Sequence, residues 1–212
     1  MIRLIAFDLD GTIANTLPMC ILAFQRGVSP YAGHELTIGE ITGLFGLNEV
    51  GMIGRLAPGH LEEALEGYYA VYESEHGRCP DAFPGVAALV SALREKGKIV
   101  SMITGKDDRS CHISLRQFGM DDLFDDVLTG SERGNNKKER MLELLEKYGL
   151  APEEFLYVGD AVADVIATKG AGVRCLSAAW AETADRDALE AVNPGQVFDR
   201  FEDAAAYLLA LE

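Results

Sequence analysis

The chain has 212 residues, of which 48% are hydrophobic and 25% charged, so it can bury the core of an ordinary globular protein. Its 34 acidic and 19 basic residues give a formal net charge of −15, which argues against a nucleic-acid surface, because phosphate backbones bind basic patches. No apolar stretch has the length of a membrane span and no signal peptide is apparent, so we expect a cytoplasmic protein.

Cysteine and histidine are too scattered to suggest a metal-binding motif. The chain has four of each and contains neither a CxxC pair nor an HExxH sequence. We therefore expect reduced thiols, mostly buried, rather than disulfides or zinc ligands. The cysteines are Cys20, Cys79, Cys111 and Cys175.

The order of the predicted elements indicates an α/β fold. Residues 2–7 are apolar on both faces, which predicts a central parallel strand covered by helices. Residues 15–75 are helical but broken by glycine and proline, which favours several short helices over one long one. Further strands are predicted at residues 99–103, 127–128, 155–158, 173–177 and 197–198, and later helices at residues 137–148 and 204–211. This alternation predicts a doubly wound parallel sheet.

The helix at residues 137–148 has sequence signals at both ends. Asn136 is predicted to be its N-cap, with Glu139 three residues later completing a capping box. Gly149 follows as a stop signal. Lys137 would then stand in the first turn, and Lys138 would lie about 100° further round the helix.

Three of the predicted core strands end in small or polar residues. In an open parallel sheet, ligands bind beyond the carboxyl ends of the strands, so these residues are expected to share one edge. The strand ends are Asp8-Leu9-Asp10-Gly11-Thr12, Thr104-Gly105 and Gly159-Asp160.

The carboxylates among these residues favour a metal site. Asp8 and Asp10 are two apart on an extended segment, so both side chains point to the same side. Carboxylates that close repel each other unless a cation intervenes. Mg²⁺ suits such a place, because it binds one or two carboxylates together with water and phosphate oxygens. Asp160 offers a further carboxylate from another strand end.

The remaining candidates could bind an anion. Thr104 and Gly105 offer a hydroxyl and an unhindered backbone N–H to a phosphoryl oxygen. Lys137 could reach over the sheet edge, although a lysine in such a position is usually a solvated charge. Asp160 and Asp164 are four apart, which places them on one face if a helix starts at once.

These residues together resemble the motifs of the haloacid dehalogenase-like hydrolase superfamily, in the branch of phosphoglycolate phosphatase and β-phosphoglucomutase. The resemblance covers the whole chain and implies a Rossmann-like core with an inserted helical cap. The core would comprise residues 1–13 and 82–212, and the cap residues 14–81. The motif residues are Asp8-Leu9-Asp10-Gly11-Thr12, Thr104-Gly105, Lys137, Gly159, Asp160 and Asp164.

The resemblance also implies a role for each motif residue. Asp8 would be the nucleophile that forms an aspartyl-phosphate, and Asp10 the general acid and base. Mg²⁺ would be held by Asp8, the backbone carbonyl of Asp10, and Asp160. Phosphoryl oxygens would be bound by Gly11, Thr104, Gly105 and Lys137. Supporting roles would fall to Thr12, Gly159 and Asp164, the last either orienting Lys137 or contacting the metal through water.

The sequence departs from the family pattern at two positions. Many relatives have proline after the motif lysine, whereas here Lys138 follows Lys137, so the choice between the two lysines depends on the predicted N-cap. Ala161 stands where relatives often have a hydroxyl residue, which would remove a supporting hydrogen bond near the metal.

Several activities of the superfamily remain open, and two are disfavoured. A dehalogenase would lack Asp10, and a phosphonoacetaldehyde hydrolase would need a cap lysine, but the first lysine of the chain is Lys96. A sugar phosphomutase would keep every motif and is the second interpretation. A non-catalytic binding module on the same fold is a more distant third.

The expected substrate is a small phosphorylated metabolite, phosphoglycolate-like or a sugar phosphate, bound by a monomer or homodimer. Four basic or titratable cap residues could meet a second anionic group, although surface positions are the simpler expectation. They are Arg26, His34, Arg55 and His60. The tyrosines at positions 68, 69 and 72 are expected to serve helix packing.

Overall fold

A six-stranded parallel sheet forms the centre of the computed structural model, which describes residues 1–211; residue 212, the end of the predicted core, lies outside the described residues. The strands stand in the order β3-β2-β1-β4-β5-β6, which confirms the predicted doubly wound α/β fold. They are β1 (Leu4–Phe7), β2 (Ile99–Ile103), β3 (Asp126–Leu128), β4 (Phe155–Gly159), β5 (Arg174–Ala178) and β6 (Val197–Phe198).

The strand order reverses beside β1. The chain builds β2 and β3 outward on one side of β1, then crosses to β4 and continues through β5 and β6 on the other. Leu4 is in register with Ile99 of β2 and with Phe155 of β4. The carboxyl ends of β1 and β4 therefore flank the switch point, which is where ligands bind in sheets of this kind.

Residues 14–81, named the cap segment below, contain five helices between β1 and the rest of the sheet. They are α1 (Leu17–Ala23), α2 (Ser29–Ala32), α3 (Ile38–Thr42), α4 (Glu49–Leu56) and α5 (Leu61–Ser74). One wider helical turn, Phe24–Val28, continues α1. The expected breaks are present: Gly33 ends α2 in the left-handed conformation, and Asn48 caps α4 by accepting from Gly51 N–H at 3.0 Å. The domain boundaries at residues 13/14 and 81/82 remain predictions.

Six further helices cover the two faces of the sheet. They are α6 (Val86–Glu95), α7 (Asp108–Gln117), α8 (Lys137–Tyr148), α9 (Val162–Ala171), α10 (Arg186–Val192) and α11 (Phe201–Ala210). Alternate residues of β1 point to opposite faces. Leu4 and Ala6 join a core with side chains of α8, α9 and α10, and Ile5 and Phe7 join a second core with α6, α7, α11 and the cap segment. β1 is thus buried on both sides, as its apolar sequence predicts.

Helix α8 has the predicted limits but lacks the predicted capping hydrogen bond. The side chain of Asn136 makes no capping bond and instead donates to the backbone carbonyl of Thr129 at 3.2 Å. Asn135 Oδ1 accepts the Lys137 N–H at 3.0 Å. Asn136 thus stands at the N-cap position, as predicted, but the predicted capping hydrogen bond is absent. Its backbone is not extended as a capping residue's typically is, and its side chain turns toward the loop after β3.

Several other element limits differ from prediction by one to three residues, and the larger differences are the starts of β1 at Leu4 and of α11 at Phe201. Over residues 1–211, none of the helices combines the length and the apolar character needed to cross a bilayer.

Candidate active site

Asp8 stands at the switch point of the sheet. Its backbone N–H donates to the carbonyl of Val158 at 2.9 Å, which extends the pairing of β1 with β4 by one residue. Its Oδ1 accepts the N–H of Leu9 at 2.7 Å. The backbone thus fixes this buried carboxylate from two sides.

Lys137 connects two of the predicted carboxylates. Its ammonium donates to Asp8 Oδ2 at 2.5 Å and to Asp164 Oδ1 at 2.6 Å. Although burial opposes the charge, Asp164 and Asp8 hold the pKa of Lys137 well above its usual range. Lys138 is exposed and lies against Gly170. The structure therefore brings Lys137, and not Lys138, into the site.

Three carboxylates form a group that could hold a metal ion. One oxygen from each of Asp8, Asp160 and Asp164 lies within 4.8 Å of the others. Burial raises the pKa of Asp8 to about 7 although Lys137 acts in the opposite direction. Burial and the neighbouring Asp8 and Asp164 raise the pKa of Asp160 well above its usual range. The raised pKa values of Asp8 and Asp160 indicate a shortage of positive charge around these two carboxylates. Hard oxygen ligands of this kind fit Mg²⁺.

Two glycines allow this crowding. Gly11 has φ +73°, and a Cβ at this position would overlap the Asp160 carboxylate. A Cβ on Gly159 would overlap the carboxylate of Asp164 in the same way. Thr12 is buried behind the turn, where its backbone carbonyl accepts from Trp180 Nε1 at 3.0 Å. The predicted supporting residues Gly159 and Thr12 thus shape the site without adding charge to it. The prediction that Gly11 binds phosphate is wrong for its backbone N–H, which donates to the carbonyl of Ala14 at 2.9 Å.

Thr104 and Gly105 directly follow β2, the strand next to β1. The Thr104 N–H donates to the carbonyl of Leu128 at 3.0 Å, and its buried Oγ1 accepts from the Lys106 N–H at 3.2 Å. Gly105 lines the cavity above the strand ends. Thr104 itself is fully buried and does not line the cavity, so its contact with a phosphoryl oxygen stays a prediction.

Asp10 lies next to the carboxylate group, and its side chain has other partners. Its Oδ1 accepts a hydrogen bond from the hydroxyl of Thr16 and lies 3.5 Å from the ammonium of Lys106. The sequence reasoning identified neither Thr16 nor Lys106. Lys106 directly follows the Thr104-Gly105 strand end, which was the available signal.

A cavity of about 420 Å³ lies over these residues, and its two sides differ in chemistry. The sheet side carries the aspartates and Lys137. The cap segment contributes mostly apolar side chains, namely Leu17, Cys20, Phe24, Phe45, Leu47 and Met52. Glu49 is its one charged group on this lining. The four candidate cap residues Arg26, His34, Arg55 and His60 are exposed and do not line the cavity.

Polar side chains of the cap segment meet the start of α7. Glu49 accepts from Asp107 N–H and from the Ser110 hydroxyl, both at 2.6 Å. The Tyr69 hydroxyl donates to Asp107 at 2.5 Å. Tyr72 and His76 contact the Ser114 hydroxyl at 2.8 and 2.9 Å. Tyr69 and Tyr72, which the sequence assigns to packing, thus also form hydrogen bonds between the cap segment and the core.

Comparisons with known proteins agree with this geometry. The model of the family described as haloacid dehalogenase-like hydrolase matches residues 5–178. Pyrophosphatase PpaX from Bacillus mycoides is 26% identical over 204 residues, covering 95% of this chain and 94% of its own. A phosphoglycolate phosphatase from Cereibacter sphaeroides is 29% identical over 178 residues, covering 80% and 82%. The crystal structure of CbbY from Rhodobacter sphaeroides in complex with phosphate matches the fold with a TM-score of 0.80, at 19% identity and over 100% of both chains.

Proposed function

The chain belongs to the haloacid dehalogenase-like hydrolase family, and we propose that it is a Mg²⁺-dependent phosphatase. It would act on a small phosphomonoester through an aspartyl-phosphate on Asp8. One observation carries the proposal. Asp8 stands at the switch point of the sheet, in hydrogen-bond contact with Lys137 and within 4.8 Å of two further carboxylates. A nucleophilic carboxylate, a fixed cation and a set of metal ligands are the parts that this reaction needs.

The reaction divides into two displacements at phosphorus. The Asp8 carboxylate attacks, the bond from phosphorus to the ester oxygen breaks, and Asp10 gives its proton to the departing alcohol. Water then attacks the aspartyl-phosphate, Asp10 takes the proton, and the bond from phosphorus to Asp8 breaks to release inorganic phosphate. Lys137, Thr104 and the backbone N–H of Gly105 would bind the phosphoryl oxygens, whereas the Gly11 N–H is already used by the carbonyl of Ala14.

The metal ligands proposed for this site are Asp8, the backbone carbonyl of Asp10, and Asp160. When bound, Mg²⁺ neutralises charge on the phosphoryl oxygens and on the carboxylates around them. Asp164 hydrogen-bonds Lys137 at 2.6 Å, which supports the role of orienting that lysine. Its place in the same carboxylate group supports an additional contact to a metal-bound water.

The cavity lining supports a substrate whose leaving group has no second negative charge. Lys137 is paired with two aspartates, and Lys106 lies between Asp10 and Glu49. No unpaired cation therefore faces the leaving group from the described lining. Of the two predicted substrate classes, the phosphate ester of an uncharged sugar fits this cavity better than phosphoglycolate, whose carboxylate would meet apolar side chains and Glu49.

A sugar phosphomutase is the second candidate, because it would use the same strand-end residues. A mutase that handles a bisphosphate needs a second anion site, and the apolar cap lining favours the hydrolase. The complete set of acidic groups and Lys137 speaks against a non-catalytic module. Cytoplasmic location and a monomeric or homodimeric state remain predictions.

The test is a phosphatase screen of the purified chain with and without Mg²⁺. The panel contains sugar phosphates, simple alkyl phosphates, phosphoglycolate and pyrophosphate, and released inorganic phosphate is measured. We expect turnover that chelation abolishes and Mg²⁺ restores, with the sugar phosphates ahead of phosphoglycolate. Formation of an isomeric sugar phosphate without inorganic phosphate would favour the mutase. Absence of both products over the whole panel would contradict either activity.

A further inference from the structure

Lys106 is a buried lysine with unused hydrogen-bond donors. It is only 3% exposed, yet its ammonium has no hydrogen-bond partner within residues 1–211. Lys137, the other buried lysine of the cavity, donates to two aspartates at 2.5 and 2.6 Å. A buried ammonium group that makes no aligned hydrogen bond is costly, even where carboxylates lie near it.

The surroundings of Lys106 connect the cap segment with the proposed acid and base. Its Nζ lies 3.5 Å from Asp10 Oδ1, 3.3 Å from Glu49 Oε1 and 4.6 Å from the centre of the Tyr72 ring. These distances are ion-pair and cation–π distances, at which the charges attract without aligned hydrogen bonds. Asp10 belongs to the core, whereas Glu49 and Tyr72 belong to the cap segment.

The contacts of Asp10 are one-sided. Thr16 donates to Oδ1, and the Lys106 ammonium approaches the same oxygen. Across residues 1–211, Oδ2 has no hydrogen-bond partner, and Asp10 lines the cavity. A carboxyl group that is fixed through one oxygen can present the other, with its proton, to a leaving group.

We propose that Lys106 is a positioning residue: held by Glu49 of the cap segment, it fixes Asp10 through Oδ1 so that Oδ2 delivers the proton to the leaving alcohol. The inference rests on the proposed function and adds to it a contact between the cap segment and the proton-transfer step. Glu49 is itself held by Asp107 N–H and the Ser110 hydroxyl at 2.6 Å each. Lys106 therefore contacts Asp10 on the core side of the cavity and Glu49 on the cap side.

The test compares two substrates that differ in their need for proton transfer. An alkyl phosphate releases a basic alkoxide and requires the proton of Asp10, whereas 4-nitrophenyl phosphate releases a stable phenolate without it. The parameter is kcat/KM, which covers binding and the first displacement. The ratio of the two kcat/KM values does not depend on how much of a preparation is folded, so a partly unfolded variant remains informative.

We expect Lys106→Met to lower kcat/KM for the alkyl phosphate about 10²-fold, which is the lower range for loss of general-acid catalysis, and to lower it for 4-nitrophenyl phosphate only about threefold. Lys106→Gln, which keeps a hydrogen-bond donor, should shift the ratio less. Glu49→Gln should shift it in the same direction by about tenfold, because Lys106 loses its anionic partner. The matched controls are Lys138→Met and Glu62→Gln at exposed positions, which should leave the ratio unchanged.

An equal loss for both substrates in Lys106→Met would overturn the positioning role and assign Lys106 to binding or folding. A ratio that moves in Lys106→Met but not in Glu49→Gln would overturn the role given to Glu49. Asp8→Asn, tested beside them, should have no activity on either substrate. Activity in Asp8→Asn would overturn the proposed function itself, so the two failures are distinguishable.

Discussion

The two sides of the cavity differ in polarity. The sheet side concentrates charge, with Lys137 hydrogen-bonded to two of three crowded carboxylates. The cap side is apolar except for Glu49, and its exposed basic residues point elsewhere. The charged side suits phosphoryl transfer, and the apolar side suits exclusion of water during that transfer. The chemistry and the choice of substrate therefore depend on different parts of the molecule.

The largest expected effect comes from removing the nucleophile on the charged side. Asp8→Asn should lower kcat about 10⁴-fold or more, because an amide does not attack phosphorus. Mass spectrometry of acid-quenched enzyme should detect a phosphorylated wild-type chain and an unmodified variant. The exposed Asp121→Asn is the control and should behave as wild type. Near-normal turnover by Asp8→Asn would contradict the assignment of Asp8.

The second effect separates the two neighbouring lysines. Lys137→Met should lower kcat/KM about 10²–10³-fold through the loss of a charged phosphoryl contact. It should also lower the melting temperature measured by circular dichroism, because Asp8 and Asp164 lose their buried partner. Lys138→Met, on the exposed face of the same helix turn, should change neither quantity. Similar losses in both variants would contradict the choice of Lys137.

A third, smaller effect tests the close approach of Gly11 to Asp160. Gly11→Ala should cost about 1–2 kcal/mol of unfolding free energy from its left-handed backbone alone, and more because the Cβ displaces the Asp160 carboxylate. Gly119→Ala is a matched control, since Gly119 has φ +64° and open space around it. Calorimetric titration with Mg²⁺ should show weaker binding only in Gly11→Ala. Equal Mg²⁺ affinity in both variants would argue against Asp160 as a ligand.

The smallest effect should come from the apolar side. Phe45 lines the cavity and is partly exposed, so Phe45→Arg would introduce a cation there at little cost to folding. We expect kcat/KM for phosphoglycolate to rise about fivefold relative to that for the phosphate ester of an uncharged sugar, as a screened charge pair allows. Ile38→Arg, elsewhere on the cap segment, should leave that ratio unchanged. An unchanged ratio in Phe45→Arg would show that the cap side of the cavity does not determine which leaving group is accepted.

The charged side could be predicted from sequence because local rules define it. Asp8 and Asp10 follow a short apolar strand, and parallel strands end at one edge, so their convergence with Asp160 follows from strand order alone. The strands themselves are recognisable as apolar runs between turn residues. The limits of α8, with Asn136 at the N-cap position, were also predictable. The loss of the capping hydrogen bond was not, because a tertiary contact to Thr129 competes for the Asn136 side chain.

The cap side could not be predicted in the same way. Glu49, Tyr69 and Tyr72 look like ordinary residues of amphipathic helices, and only the docking of the cap segment brings them to α7. The position of Lys106 could not be predicted either, since a lysine after a strand is usually solvated. Such contacts join residues more than thirty positions apart, for which helical or strand periodicity carries no information.

The hydrogen bonds from the cap segment to α7 have a mechanical consequence. Tyr69, Tyr72 and Glu49 all hold side chains or amides of residues 107–114, directly after the loop that carries Thr104 and Gly105. We expect a movement of the cap segment away from the core to displace this loop as well. Opening of the cavity for product release would then coincide with weaker binding of the phosphoryl oxygens by Thr104 and Gly105. Hydrogen exchange at amides 104–107 should then speed up in Tyr72→Phe, and unchanged exchange would show that the two motions are independent.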